Sequence, residues 1–200
     1  MQLSSGFESS SDFPDAFCKM IGKPPSTMKN QVQILKIFRL DTPLGTMVAI
    51  GSDDALYLLE FVDRLDLERK VERLVQRTKS AIVPGTSASI VSIQQELNAW
   101  FDGALRVFKT PLFLLGSAFQ KSVWEALRHI PYGETRSYLE QATSIEKPSA
   151  CRAVANANGA NQLAIVIPCH RIINNNGDLG GYGGGVLRKK WLIDHEKQHL

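Results

Sequence analysis

The sequence predicts an α+β chain in which a small antiparallel sheet with helices precedes a helical C-terminal part. Three observations carry this. Short β-like runs cluster between residues 32 and 61, separated by turn residues. Amphipathic helical spacing dominates from residue 65 onward. Two short helical segments follow one another after Pro131 with a brief break between them, the pattern of a helix-turn-helix.

Three segments divide the chain. Residues 1–30 end in the breaker-rich stretch Gly22–Asn30. Residues 31–115 open with candidate strands Val32–Leu40, Thr46–Ile50 and Ala55–Phe61, punctuated by Asp41–Gly45 and Gly51–Asp54, which read as an antiparallel meander. Leu65–Lys79 follows as a charged amphipathic helix with Leu67, Val71, Leu74 and Val75 on one face. Ile90–Phe101 is a second helix, stopped by Gly103. In residues 116–200, Phe119, Val123, Trp124, Leu127 and Ile130 recur at helical spacing up to Pro131–Gly133. Tyr138–Ala142 is a short helix. Ser149 is placed to cap a helix over Ala150–Asn158, which Gly159 would close in a left-handed conformation. That helix is smooth, with alanine at 150, 153, 155 and 157, and Arg152 is its one charged side chain.

Composition narrows the function. Hydrophobic residues make up 44% and charged residues 22%, as in a globular protein with a real core. No apolar run reaches the roughly 18 residues of a membrane span, and the N-terminus lacks a signal-peptide pattern. Three widely spaced cysteines, Cys18, Cys151 and Cys169, argue against a disulfide framework and for a reducing compartment such as the cytoplasm. The net charge of +3 lies entirely in residues 119–200, a mild basic bias compatible with DNA binding.

The chemistry concentrates in "AIVIPCHRIINNNG", Ala164–Gly177. Leu163–Ile167 reads as a buried strand ended by Pro168, with Cys169 and His170 at its exit. A thiolate is the reactive form of cysteine, and a nearby imidazole can raise its fraction. Neighbours on an extended strand face opposite ways, so cooperation requires a turn or a linking water. The glycine-rich stretch Gly177–Gly185 around Tyr182 fails the dinucleotide fingerprint and suits a loop offering backbone amides to a flat ligand. "HEKQH", His195–His199, matches a zinc-protease pattern, but no third ligand follows it, and no metal is expected. A cysteine hydrolase would use the same Cys169 and His170.

Five blocks in order resemble the O6-alkylguanine-DNA alkyltransferase family, also called methylated-DNA–protein-cysteine methyltransferases. They are "IPCHRII" at Ile167–Ile173, Phe119–Tyr138, Ala150–Asn161, Gly181–Gly185 and Trp191–Glu196. The resemblance is close over 119–196 and looser over 31–115. It implies a ribonuclease-H-like first part and a winged-helix-like second part carrying the active site. It also implies direct repair of double-stranded DNA, with one alkyl group moved irreversibly from O6-alkylguanine to Cys169. By the same resemblance His170 generates the thiolate through a water, Glu196 orients His170, Asn161 fixes the turn, and Tyr138 assists base extrusion and bonds the departing guanine. Arg152 fills the space of the flipped nucleotide, with Ser149, Ala153 and Asn158 beside it at the DNA. Ile172, Tyr182, Gly183 and the Cys169 carbonyl line the pocket. No cofactor, membrane or obligate protein partner is implied, and the chain is expected to be a monomer. Relatives that bind lesions without repairing them carry tryptophan at the acceptor position, where this chain has Cys169. A non-catalytic lesion-binding or regulatory module is the alternative.

Gly6–Ser26 is similar to the end of an arabinose-regulator-type DNA-binding domain, through Gly6, Phe7, Ser9, Ser11, Phe13, Phe17, Gly22 and Pro25. This implies that residues 1–30 are a remnant of such a domain and its linker. The chain would then correspond to the C-terminal portion of a bacterial adaptive-response regulator.

Overall fold

The computed structural model describes residues 32–200. Cys18 and the regulator-like stretch therefore lie outside the described residues. The chain divides into two compact units, one holding 32–98 with 110–113 and the other 99–109 with 114–200.

The first unit is built on a four-stranded sheet of order β3-β2-β1-β4. β1 (Ile34–Thr42) and β2 (Gly45–Gly51) form a hairpin with Thr42 opposite Gly45. Its turn is closed by the Thr42 hydroxyl donating to Gly45 O at 2.6 Å. β3 (Leu56–Phe61) is buried at every position, so it lacks polar–apolar alternation; its one charged residue, Glu60, is paired with Arg64 and Lys70. The main chain at 111–113 bonds both backbone groups of Leu56. The sheet is not purely antiparallel as expected. β4 (Ala81–Pro84) pairs parallel to β1, following α1 (Leu67–Thr78). Four residues ending in proline, with one fully buried side chain, Ile82, give too little alternation to be read as a strand. α2 (Ala88–Phe101) starts earlier than expected because the Asp53 carboxylate accepts from Ala88 N at 2.9 Å.

The second unit carries four further helices. α3 (Ala118–Arg128) opens with a reciprocal capping box between Ser117 and Gln120 and buries Val123, Trp124 and Leu127. A parallel bridge joins β5 (Arg136–Ser137) to β6 (Ile172–Ile173). α4 (Tyr138–Ser144) opens with a second capping box, Ser137 with Glu140. α5 (Cys151–Gly159) completes the helix-turn-helix, and the Trp124 indole fastens it to α3 by donating to Ala157 O at 2.8 Å. α6 (Val186–Gln198) ends the unit.

Three local expectations are corrected here. Ser149 does not cap α5: Pro148–Ala150 is a 3-10 turn, and the cap position falls on Ala150 without a side-chain bond. Gly159 stays in the helix, and Ala160 ends it in a right-handed conformation. Leu163–Ile167 is buried but forms a succession of turns rather than a strand. Burial periodicity cannot separate the two, because both hide a short apolar run. Among the described residues, no helix is long and apolar enough to cross a membrane.

Candidate active site

The turn that replaces the expected strand is organised by one side chain. Asn161 is buried; its Oδ1 accepts from Leu163 N at 3.0 Å, and its Nδ2 donates to Ile167 O at 2.9 Å. Between these anchors Ile165 takes φ = 71°. A β-branched residue there is strained by about 1–3 kcal/mol and persists only where its surroundings enforce it. The same Nδ2 lies 3.3 Å from Cys169 Sγ.

Cys169 opens a 3-10 turn, Cys169–Arg171, and is half-buried. The chain thus turns at the point where thiol and imidazole needed it to. His170 is fully buried, and its Nε2 lies 3.0 Å from Glu196 Oε1. Its Nδ1 is buried without a hydrogen-bond partner in the protein. Burial pushes the His170 ring below its ordinary range, and Arg171 and Lys189 add to this against the opposing pull of Glu196.

Glu196, on α6, is buried and accepts four bonds. Besides His170, Arg171 donates Nη2 to Oε1 at 2.8 Å and Nε to Oε2 at 2.9 Å, and Gly133 N donates to Oε2 at 3.1 Å. Burial opposes the carboxylate charge, but the bonds and charges of His170 and Arg171 outweigh it and hold the group down at about 2. An ionised carboxylate only accepts, so Nε2 of His170 carries the proton toward it.

Tyr138 opens α4 and is half-buried; burial, and then the negative charge of a Cys169 thiolate, push its hydroxyl upward. Its hydroxyl is therefore within electrostatic reach of the sulfur. Ile172 is fully buried in β6. The Tyr182 ring stands edge-on to His170 at 6.5 Å, and Gly183 is exposed in the adjoining turn. Cys169, His170, Glu196, Asn161 and Tyr138 are thus brought together, with Tyr182 against them.

The surface set separates. Ser149, Arg152 and Ala153 are exposed at the start of the second helix of the helix-turn-helix. Asn158 is not with them. It is buried and exchanges bonds with Gln141, Nδ2 to Oε1 at 2.7 Å and Nε2 to Oδ1 at 3.2 Å, so it joins α5 to α4 instead of facing a partner.

Residues 118–198 match the family described as 6-O-methylguanine DNA methyltransferase, DNA binding domain. The methylated-DNA–protein-cysteine methyltransferase of Mycolicibacterium paratuberculosis is 42% identical over 160 residues, 80% of this chain and 91% of that protein. The protein of the same name from Methanosarcina barkeri is 39% identical over 161 residues, 80% of this chain and 96% of that one. The chain belongs to the methylated-DNA–protein-cysteine methyltransferase family. Its fold is similar to the crystal structure of Mycobacterium tuberculosis OGT in complex with DNA, with a TM-score of 0.70 and 41% identity over 82% of this chain and 94% of that one.

Within this methyltransferase-family site two residues escaped the sequence reading. Arg171 was in view in the Cys-His-Arg run, and the signal was the need of any buried carboxylate for a cation. Lys189 is wholly buried, with its ammonium donating to Leu179 O and to Gly181 O of the glycine loop. Burial lowers it to about 8, opposed by the Cys169 charge. Nothing in Arg188-Lys189-Lys190 distinguishes it from its neighbours. The "HEKQH" histidines are spent elsewhere. His195 bonds Trp100 O through Nε2 at 2.9 Å and stacks on Trp191, while His199 Nδ1 meets His195 O at 2.8 Å.

Proposed function

We propose that this protein repairs DNA directly, by drawing an O6-alkylguanine out of the duplex and taking its alkyl group onto Cys169 in one irreversible turn. The observation that carries the reading is the sulfur of Cys169 held by Asn161 at 3.3 Å, ahead of the buried His170–Glu196 pair. Relatives named for this methyl transfer, and one solved with DNA, support it.

The Cys169 thiol gives its proton, through a water, to Nδ1 of His170. The thiolate lone pair then forms a bond to the alkyl carbon while the carbon–O6 bond breaks, and the electron pair leaves on guanine. The Tyr138 hydroxyl donates a hydrogen bond to the departing base. The Cys169 and Ile172 carbonyls, Tyr182 and the Gly183 amide line its pocket. A base stacked in a duplex is out of reach, and extruding it costs a few kcal/mol. Arg152 stands out from a small-residue helix and takes the vacated space, with Ser149 and Ala153 against the minor groove. No bond in this sequence reforms the thiol, so each molecule acts once.

In this reading residues 31–115 are a ribonuclease-H-like subdomain, and residues 116–200 a winged-helix-like domain holding DNA and the acceptor. The similarity of Gly6–Ser26 to a regulator's DNA-binding domain supports kinship with the C-terminal part of an adaptive-response regulator.

The test is intact-protein mass after incubation with duplex DNA carrying O6-methylguanine. One methyl per chain, abolished by Cys169→Ala, is the expected result. Lesion binding without mass gain would replace the transferase with a binding module, and repeated ester or peptide turnover would replace it with a hydrolase.

A further inference from the structure

We propose that Arg171 is a positioning residue for alkyl transfer: by gripping both oxygens of Glu196, it keeps His170 a neutral base whose Nδ1 is the proton-accepting nitrogen. This inference rests on the alkyl-transfer reading above.

The geometry sets up a competition. A carboxylate alone behind an imidazole would draw it toward the charged form, because an adjacent anion stabilises imidazolium. An imidazolium has no lone pair to accept a thiol proton. Arg171 removes that pull. Its fork engages both oxygens of Glu196 at 2.8 and 2.9 Å, and its third nitrogen, Nη1, donates to Ile130 O at 2.6 Å. The guanidinium also lies 5.7 Å from the centre of the Tyr132 ring. Arginine keeps its charge at any working pH, so the Glu196–Arg171 pair is neutral as a unit. His170 then meets an oriented acceptor rather than an isolated anion. Glu196 still receives the Nε2 proton at 3.0 Å, which fixes the tautomer and leaves Nδ1 open.

The other groups facing His170 agree. Lys189, from α6, adds positive charge beside the ring, and Tyr182 from the glycine loop presents an aromatic edge. Among the described residues, Glu196 is the one carboxylate acting on His170. Lysine cannot copy the grip, since an ammonium is a point charge without the planar fork.

The experiment is the single-turnover rate of methyl gain from O6-methylguanine duplex, read by intact mass from pH 5 to 9, in wild type, Arg171→Lys and Arg171→Met. Removing the cation lets the His170–Glu196 pair take a proton at higher pH. In Arg171→Met the acid limb should therefore move up by about one unit or more. Arg171→Lys retains the charge and should keep the limb near its wild-type position with a lower plateau. A lowered plateau with an unmoved limb in Arg171→Met would show a merely structural residue and overturn the proposal. Ring-nitrogen NMR of His170 in the wild-type protein keeps the proposal falsifiable if that variant does not fold. A neutral ring protonated on Nε2 at pH 7 is expected, and a doubly protonated ring overturns the proposal. Failure of the wild type to gain methyl would instead defeat the transfer reading, and the same NMR spectrum would still test whether His170 is neutral beside the Arg171–Glu196 pair.

Discussion

One amide nitrogen, Nδ2 of Asn161, donates both to Ile167 O at 2.9 Å and toward Cys169 Sγ at 3.3 Å. The residue that shapes the turn is also the one that touches the sulfur. Asn161→Ala should therefore damage stability and transfer together. It leaves Leu163 N short of its partner in a buried turn, at about 1–3 kcal/mol, and strips one of two bonds from Ile167 O, which keeps the one from Cys169 N at 2.8 Å. It also removes the restraint that keeps Ile165 at φ = 71°. A loss on the order of 3 kcal/mol is expected from urea unfolding. A loss well under 1 kcal/mol would mean that the turn holds itself.

The Asn158–Gln141 exchange calls for a different experiment. Both amides are buried and bonded to each other, and Gln141 Nε2 also donates to Val123 O at 3.2 Å. Either single change to leucine strands its partner and should cost about 1–3 kcal/mol, whereas the double change should cost far less than the sum. Affinity for DNA, measured on folded protein, should follow stability alone. A selective loss of DNA affinity in Asn158→Leu, with stability intact, would return Asn158 to the interface.

Asn158 also marks where sequence reading stopped. Its position on the smooth helix was legible, but the face it occupies depends on Gln141, seventeen positions away. Burial was legible at Leu163–Ile167, because apolar runs report burial; conformation was not, because it is set by the Asn161 side chain and not by a strand partner. The three strands between 34 and 61 announced themselves through turn residues, while Ala81–Pro84 offered one fully buried side chain and a proline. The link from His170 to Glu196 came through family resemblance. Arg171, which grips the same carboxylate, carried no periodic or spacing signal, since its partner lies twenty-five positions away.

Acid should unfold the protein in two windows. His170 is held below its ordinary 6.5 by burial, so the unfolded chain takes up that proton first and stability begins to fall below about pH 6.5. Glu196 is held at about 2 against an ordinary 4.5. Its contribution, on the order of 3 kcal/mol, is complete above pH 4.5 and lost as pH falls from 4.5 to 2. Glu196→Gln should shrink the lower window to what carboxylates such as Asp41 and Asp66, also held below their ordinary range, contribute. It should also lower stability at pH 7 by about 3–5 kcal/mol, because Arg171 is left buried without its counter-charge. Urea midpoints from pH 2 to 8 measure both. An unchanged slope between pH 2 and 4.5 in the variant would sink the assignment.

Arg152 gives the sharpest separation of chemistry from base extrusion. Its side chain is exposed near the start of α5, and Ala153 beside it is exposed too. Arg152→Ala should leave stability within about 0.5 kcal/mol of wild type. The chemistry sits elsewhere, on Cys169 and the bonds behind it. Methyl transfer from free O6-methylguanine, which needs no extrusion, should therefore proceed at the wild-type rate. Transfer from duplex DNA should fall by tenfold or more, since filling the vacated stack offsets part of an extrusion cost of a few kcal/mol and about 1.4 kcal/mol is a factor of ten. A single-stranded oligonucleotide, already partly unstacked, should fall between the two. The informative quantity is the ratio of duplex to free-base rates across the variant and wild type. Equal losses on all three substrates would place Arg152 in the folding or chemistry of the site and remove it from the DNA stack.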